Sequence, residues 1–279
     1  MQTMKRIVIA FVISMLCLTA VQAQFISHVG VVPKAYDFWI YVPDASESAA
    51  NDSGLLPTVV FLHGKSLCGN DLQKVMEYGP LEALTFGRQI PMLVIAPQSP
   101  GEAWAPAKVM RIVEWAERHY PVDTTRIYVM GMSMGGYGTI DVAATYPEKI
   151  AAAMALCGGG TRHDYSGLCR VPLWIMHGTS DRSVPWQQSQ QVVDAMIAAG
   201  DTSRLRFDLL PDVSHGTPAR CFYSSKTYDW LLQHALTDSL RPVNRTISIT
   251  LSDMRNAYRD MPGRKKIKVK SYTKNKGNP

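Results

Sequence analysis

The chain has 279 residues, 46% hydrophobic and 19% charged, with 20 Gly and 17 Pro, proportions that exclude a disordered, collagen-like or coiled-coil protein. Its length suits one large α/β domain or two small ones, and a core of that size needs no metal or disulfide staple. The formal charge of +6 is uneven: residues 1–23 carry +2, and residues 262–279 carry +7 with no acid, from Arg264, Lys265, Lys266, Lys268, Lys270, Lys274 and Lys276, which leaves the chain between them at −3. A mildly acidic core makes nucleic acid a poor partner. The basic run reads as a solvated end or as a weak contact with an anionic cell-envelope surface.

In chain order, Met1 to Ala23 places Lys5 and Arg6 before the uncharged run Ile7 to Ala20 and ends in Val21-Gln22-Ala23. This pattern predicts a secretory signal peptide cleaved near Ala23 and a secreted or periplasmic mature chain. An uncleaved anchor is the alternative, which the shortness of the run disfavours. In such a compartment Cys68, Cys157, Cys169 and Cys221 can pair. Cys157 and Cys169 flank a Gly-rich loop and are the favoured pair, with connectivity left open. No Cys or His spacing indicates a structural zinc site, so no metal is expected.

Phe25 to Val32 and Tyr36 to Val42 are the first strand candidates, rich in aromatic and β-branched residues. Short apolar runs follow at Pro57 to Leu62, Met92 to Ala96, Arg126 to Met130 and Val171 to Met176, each stopping at a turn residue, as strands buried on both faces do. Between them, Ala107 to Tyr120 and Gln187 to Ala199 carry apolar residues at helical spacing, and Tyr223, Thr227, Tyr228, Leu231 and Leu232 mark a last helix. The alternation predicts an α/β fold: a mostly parallel sheet with helices on both faces and a site at the strands' carboxyl ends. The catalytic domain is expected over residues 24–240. Residues 241–279 are expected to form a basic C-terminal tail or an incomplete appendage, in which Thr246 to Leu251 and Ile267 to Val269 are candidate strands.

The strongest chemical signal is Gly131-Met132-Ser133-Met134-Gly135-Gly136, between a predicted strand and a helix. A serine on such a sharp turn needs neighbours without bulk, which the glycines supply, and it marks Ser133 as a candidate nucleophile. A hydroxyl needs a base, and the base an acid to orient it. Asp181 stands after the strand Val171 to Met176, and His215 follows the strand-like Leu205 to Leu210. The order serine, acid, histidine is the one this kind of turn uses. Asp208 and Asp212 are weaker candidates for the acid. His63 and His177 each precede Gly at a strand end and read as structural, His119 and His234 as surface residues, and His163 as a possible border of the substrate site. Backbone N–H groups of Met134 and Lys65 are the expected oxyanion donors. Trp104 and Trp186 are candidates for pocket walls or for core packing.

The phrases Leu62-His-Gly64, Ala96-Pro-Gln98, Val122-Asp-Thr-Thr-Arg126, Gly131-Met-Ser-Met-Gly-Gly-Tyr-Gly138, Cys157-Gly-Gly159 and Trp174-Ile-Met-His-Gly178 resemble the α/β-hydrolase superfamily. Within it they resemble secreted bacterial esterases of the polyhydroxybutyrate-depolymerase and feruloyl-esterase-like group, often labelled phospholipase/carboxylesterase. The resemblance runs from about Tyr36 to His234. It implies a carboxylic ester hydrolase without cofactor, whose Ser-His-Asp residues map onto Ser133, His215 and Asp181. Gly216-Thr217-Pro218 follows His215 where similar sequences often place an acidic or aromatic residue. Leu156 to Val171 has room for a loop but no helical lid, so the expected substrate is a soluble or polymer-linked ester. A secreted serine peptidase or an acyltransferase on the same residues is the alternative.

Overall fold

The computed structural model describes residues 23–259, 261 and 275–276. One sheet organises them. In chain order its elements are β1 (Gln24–Val29), β2 (Asp37–Val42), β3 (Leu56–Leu62), α1 (Pro80–Thr85), β4 (Leu93–Gln98), α2 (Pro106–His119), β5 (Val122–Met132), α3 (Met134–Thr145), β6 (Ala152–Leu156), β7 (Leu173–Gly178), α4 (Gln187–Ala198), β8 (Leu205–Leu210), α5 (Ser225–Leu231), α6 (Leu251–Arg255) and the two-residue β9 (Asn275–Lys276). The strand order is β8-β7-β6-β5-β3-β4-β2-β1-β9. Every pair from β8 to β4 is parallel, and β2 runs antiparallel to both β4 and β1.

The apolar runs become the central strands because both sheet faces are covered. In β3, Val59 and Phe61 enter one core with Met130, Trp174, Phe222 and Trp230. Val60 and Leu62, pointing the other way, enter a second core with Val129, Ile140 and Ile175. Helix α2 starts on Pro106, whose missing N–H costs nothing at that position, and buries Val109, Ile112, Val113 and Ala116 on the second core.

The structure corrects several expectations. β1 stops at Val29, and β5 begins at Val122, four residues earlier than the apolar run indicates. Thr246 to Leu251 is no strand: Leu251 opens α6, and the side chain of Thr250 caps it. Residues 241–259 are not a loose tail, because Val243, Ile249, Met254 and Ala257 are buried in the first core. The first core therefore takes in residues past Leu240, with Tyr258 packed against it. Cys68, Cys157, Cys169 and Cys221 are all unpaired. Cys157 lies buried against the carbonyl of His215 at 3.6 Å, while Cys169 faces the carbonyl of Met196, so the pairing favoured from sequence does not form. Met1 to Gln22, Ile267 to Val269 and the basic cluster other than Lys276 lie outside the described residues.

Candidate active site

Ser133 links β5 directly to α3 with φ 58° and ψ −123°, a left-handed conformation that a side chain rarely adopts. The close approach of α3 to β3 enforces the turn. A Cβ on Gly135 would lie 1.7 Å from the carbonyl oxygen of Leu62, and one on Gly131 would lie 2.5 Å from the carbonyls of Gly135 and Leu62. Both glycines of the motif are thus required by packing. Met134 opens α3, so its N–H is among those without an intrahelical acceptor.

The loop after β3 comes up beside this turn. A Cβ on Gly64 would sit 3.6 Å from that of Ser133, and Lys65 opens the short 3-10 turn Lys65–Leu67. The loop is anchored from below by His63, which is fully buried. Its Nδ1 lies 2.7 Å from the carbonyl of Gly64, and its Nε2 accepts the N–H of Ser99 at 3.1 Å. Burial lowers its pKa to about 4, so the ring is neutral and structural, as the sequence suggests.

Asp181 and His215 meet above the carboxyl ends of β7 and β8. His215 Nδ1 lies 2.6 Å from Asp181 Oδ2. The other carboxylate oxygen, Oδ1, accepts the N–H groups of Ser183 at 2.8 Å and Val184 at 2.9 Å. Burial works against the charge of Asp181, but the N–H groups of Val184 and Ser183 and the His215 ring outweigh it and hold the carboxyl below its ordinary range. His177, buried beneath, places Nε2 3.2 Å from Asp181 Oδ2 and 2.9 Å from the carbonyl of Val184. Its pKa is lowered by burial, so it braces the acid as a neutral ring.

The other acid candidates face elsewhere. Asp208 accepts the indole N–H of Trp174 at 2.8 Å and pairs with Arg206 at 3.0 Å. Asp212 is exposed, with its backbone N–H on the hydroxyl of Thr179. His119 is exposed, as expected, and so is His163, which does not line the cavity that holds Ser133 and His215. His234, expected at the surface, is buried, with Nδ1 on the carbonyl of Trp230 and Nε2 accepting the N–H of Asn244.

Ser133 and His215 line a single open cavity of about 610 Å³ together with Lys65, Tyr78, Arg220, Tyr223 and Tyr258. Trp104 and Trp186 do not line it. Trp104 is 4% exposed and packs against Gly138 of α3, with its indole N–H on the carbonyl of His63 at 3.1 Å. Trp186 is half-buried at the start of α4. Sequence reading missed the three tyrosines, because they come from separate segments with no shared spacing. It also missed Cys157, whose thiol reaches the Asp181–His215 pair; burial, with the charge of Asp181 adding, pushes that thiol up. Cys157, Asp181 and His215 form the one group among the described residues whose ligand atoms lie close enough together to share a metal ion, within 4.8 Å of one another.

The family model described as Dienelactone hydrolase family matches residues 99–225, which include Ser133, Asp181 and His215. Acetylxylan esterase A of Emericella nidulans is 24% identical over 231 residues, covering 77% of this chain and 71% of that protein. The chain is an α/β-hydrolase of the esterase kind. Acetylxylan esterase A of Aspergillus awamori is 26% identical over 229 residues, covering 76% of this esterase and 70% of its own length. Among solved structures, a thermostable esterase superposes with a TM-score of 0.58 at 25% identity, covering 71% of this chain and 59% of that one. The acetyl xylan esterase structure from Aspergillus awamori gives 0.54 at 19%, covering 70% and 94%, a likeness of fold.

Proposed function

We propose that this esterase cleaves carboxylic esters by acyl transfer through Ser133, His215 and Asp181. The observation that carries the reading is the 2.6 Å contact of His215 Nδ1 with Asp181, made beside a cavity that His215 shares with Ser133. With its Nδ1–H held by the carboxylate, the ring presents a bare Nε2 to take the proton of Ser133. The Ser133 hydroxyl then attacks the ester carbonyl. Negative charge gathers on the carbonyl oxygen, where the N–H groups of Met134 and Lys65 are the donors that stabilise it. Collapse of the tetrahedral species expels the alcohol, which takes the proton from His215. A water molecule, deprotonated by the same ring, releases the acid and regenerates Ser133.

The relatives named as acetylxylan esterases support a short acyl group on a carbohydrate alcohol as the substrate class. An open cavity admits such a polymer-linked ester. The basic amino-terminal pattern supports export of the mature enzyme. The test is hydrolysis of acetylated xylan and of a simple aryl acetate by wild type and Ser133→Ala. Ser133→Ala should lose at least about 10⁴-fold of the aryl acetate rate with Tm unchanged. A variant within tenfold of wild type overturns the nucleophile, and activity on the aryl ester alone overturns the carbohydrate substrate.

A further inference from the structure

The C-terminal segment does more than cover the core. From Val243 to Ala257 it is fixed at several points: Asn244 accepts the indole N–H of Trp230 at 3.0 Å, Ile247 accepts Arg206 at 2.6 Å, and Ala257 accepts Arg88 at 3.3 Å. Met254 and Ala257 are buried. These anchors deliver the next residue, Tyr258, to the cavity that holds Ser133 and His215.

There Tyr258 meets a pre-built aromatic wall. Its ring centroid lies 4.7 Å from that of Tyr223, tilted by 46°. Tyr223 is itself locked, its hydroxyl donating to the Glu82 carboxylate and accepting the N–H of Gly79 at 3.2 Å. Tyr78, a third cavity residue, donates its hydroxyl to the sulfur of Met132, the residue before Ser133. Three tyrosines from distant parts of the chain thus border one reacting serine. No carboxylate lies among the cavity-lining residues. The cavity, about 610 Å³, has the volume of a site for a small organic molecule, far larger than an acetyl group fills.

We propose that Tyr258 is a specificity-determining residue, and that the C-terminal segment completes a subsite for a ring-bearing part of the ester. The proposal rests on the ester-hydrolase reading above and adds which side chain selects the substrate. Tyrosine offers a flat apolar face at little entropic cost, and ring–ring contact adds about 0.5–1.5 kcal/mol beyond burial, which corresponds to about twofold to tenfold in binding.

The experiment compares three esters: ethyl acetate without a ring, phenyl acetate with the ring on the alcohol, and methyl benzoate with it on the acyl group. The measured quantity is kcat/KM for each ring-bearing ester divided by that for ethyl acetate. Tyr258→Ala should lower this ratio about fivefold for one of the two ring-bearing esters, through KM, and so assign the ring to the acyl or the alcohol side. Tyr258→Phe should keep the ratio. Thr250→Ala, which loosens the segment without removing the ring, should lower Tm and leave the ratio alone. A Tyr258→Ala ratio equal to wild type for both esters overturns the proposal, as does an equal fall for Thr250→Ala. Absence of wild-type turnover on all three esters overturns the hydrolase reading itself, a different failure from an unchanged ratio.

Discussion

Around Ser133 the chain is held by close packing onto glycines. The carbonyl of Leu62 reaches so close to Gly135 that no side chain fits between them, and Gly138 has Trp104 where a Cβ would need to be, at 2.6 Å. Along residues 241–259 the chain is held mainly by side chains reaching to carbonyls. Arg206 takes Ile247, Trp230 takes Asn244 and Arg88 takes Ala257, while Arg241 and Arg245 of the segment reach back to Ile150, Ala151 and Leu205. Backbone groups of a segment that joins no sheet need such partners when they are covered. The first region is rigid because it has no room to differ. The second is fixed by contacts that individual substitutions can remove one at a time.

That contrast predicts effects of different kind and size. Asp181→Asn should leave the fold of the turn region intact and reduce kcat by about 10³ to 10⁴, because an amide no longer selects the tautomer with a bare Nε2. Asp212→Asn should change the rate less than twofold. Steady-state kinetics on an aryl acetate measures both, and the reverse ranking would move the acid to the other loop.

Cutting the chain after Leu240 should act on stability instead. It removes Val243, Ile249 and Met254 from the first core, each worth about 1.5–3 kcal/mol of burial, and leaves Arg206 and Trp230 without their carbonyl partners. A net loss of several kcal/mol at about 2–4 °C per kcal/mol lowers Tm by about 10 °C or more. A truncated protein that melts with wild type would mean that the segment contributes nothing to the fold. Within the turn region, Gly138→Ala should cost about 1–3 kcal/mol by overpacking against Trp104. Denaturant unfolding checks it, and an unchanged midpoint would mean that Trp104 shifts without cost.

The same contrast explains how much was legible in the amino-acid sequence. The Gly131–Gly136 turn announces itself because its constraint is local: a strand, a serine and glycines in consecutive positions. Asp181 and His215 could be placed because each follows a strand end, and strands β3, β4, β5 and β7 were visible as apolar runs. Tyr258 and Val243 were invisible for the opposite reason. Their segment alternates polar and apolar residues over Thr246 to Leu251 and so reads as a strand, whereas its burial depends on Arg88, Arg206 and Trp230, which lie outside it. Trp104 misled because a large ring near a site reads equally well as wall or core, and only the notch at Gly138 decides it. His234 was misplaced for a related cause, since its partner Asn244 lies in the segment read as a tail.

The smallest predicted effect tests how the segment is tuned. Thr250 and Asp253 cap α6 reciprocally: the N–H of Asp253 reaches the Thr250 hydroxyl at 3.2 Å, and the N–H of Thr250 reaches Asp253 Oδ2 at 2.7 Å. Lys226 adds an ion pair to Asp253 at 2.9 Å, but both partners are partly exposed, so screening limits its worth. The Thr250 N–H, with Lys226 assisting against partial burial, holds the Asp253 carboxyl below its ordinary value of 3.8. A carboxyl lowered in the folded state stabilises fully above its unfolded pKa, and that contribution is lost as pH falls through the folded value. Thr250→Ala should therefore cost about 1 kcal/mol at neutral pH. Asp253→Asn should cost a similar amount at pH 7 and converge with wild type as pH falls through the lowered folded value, measured as Tm against pH. Parallel curves for Asp253→Asn and wild type across that range would show that the carboxylate charge plays no part in holding the helix that presents Tyr258.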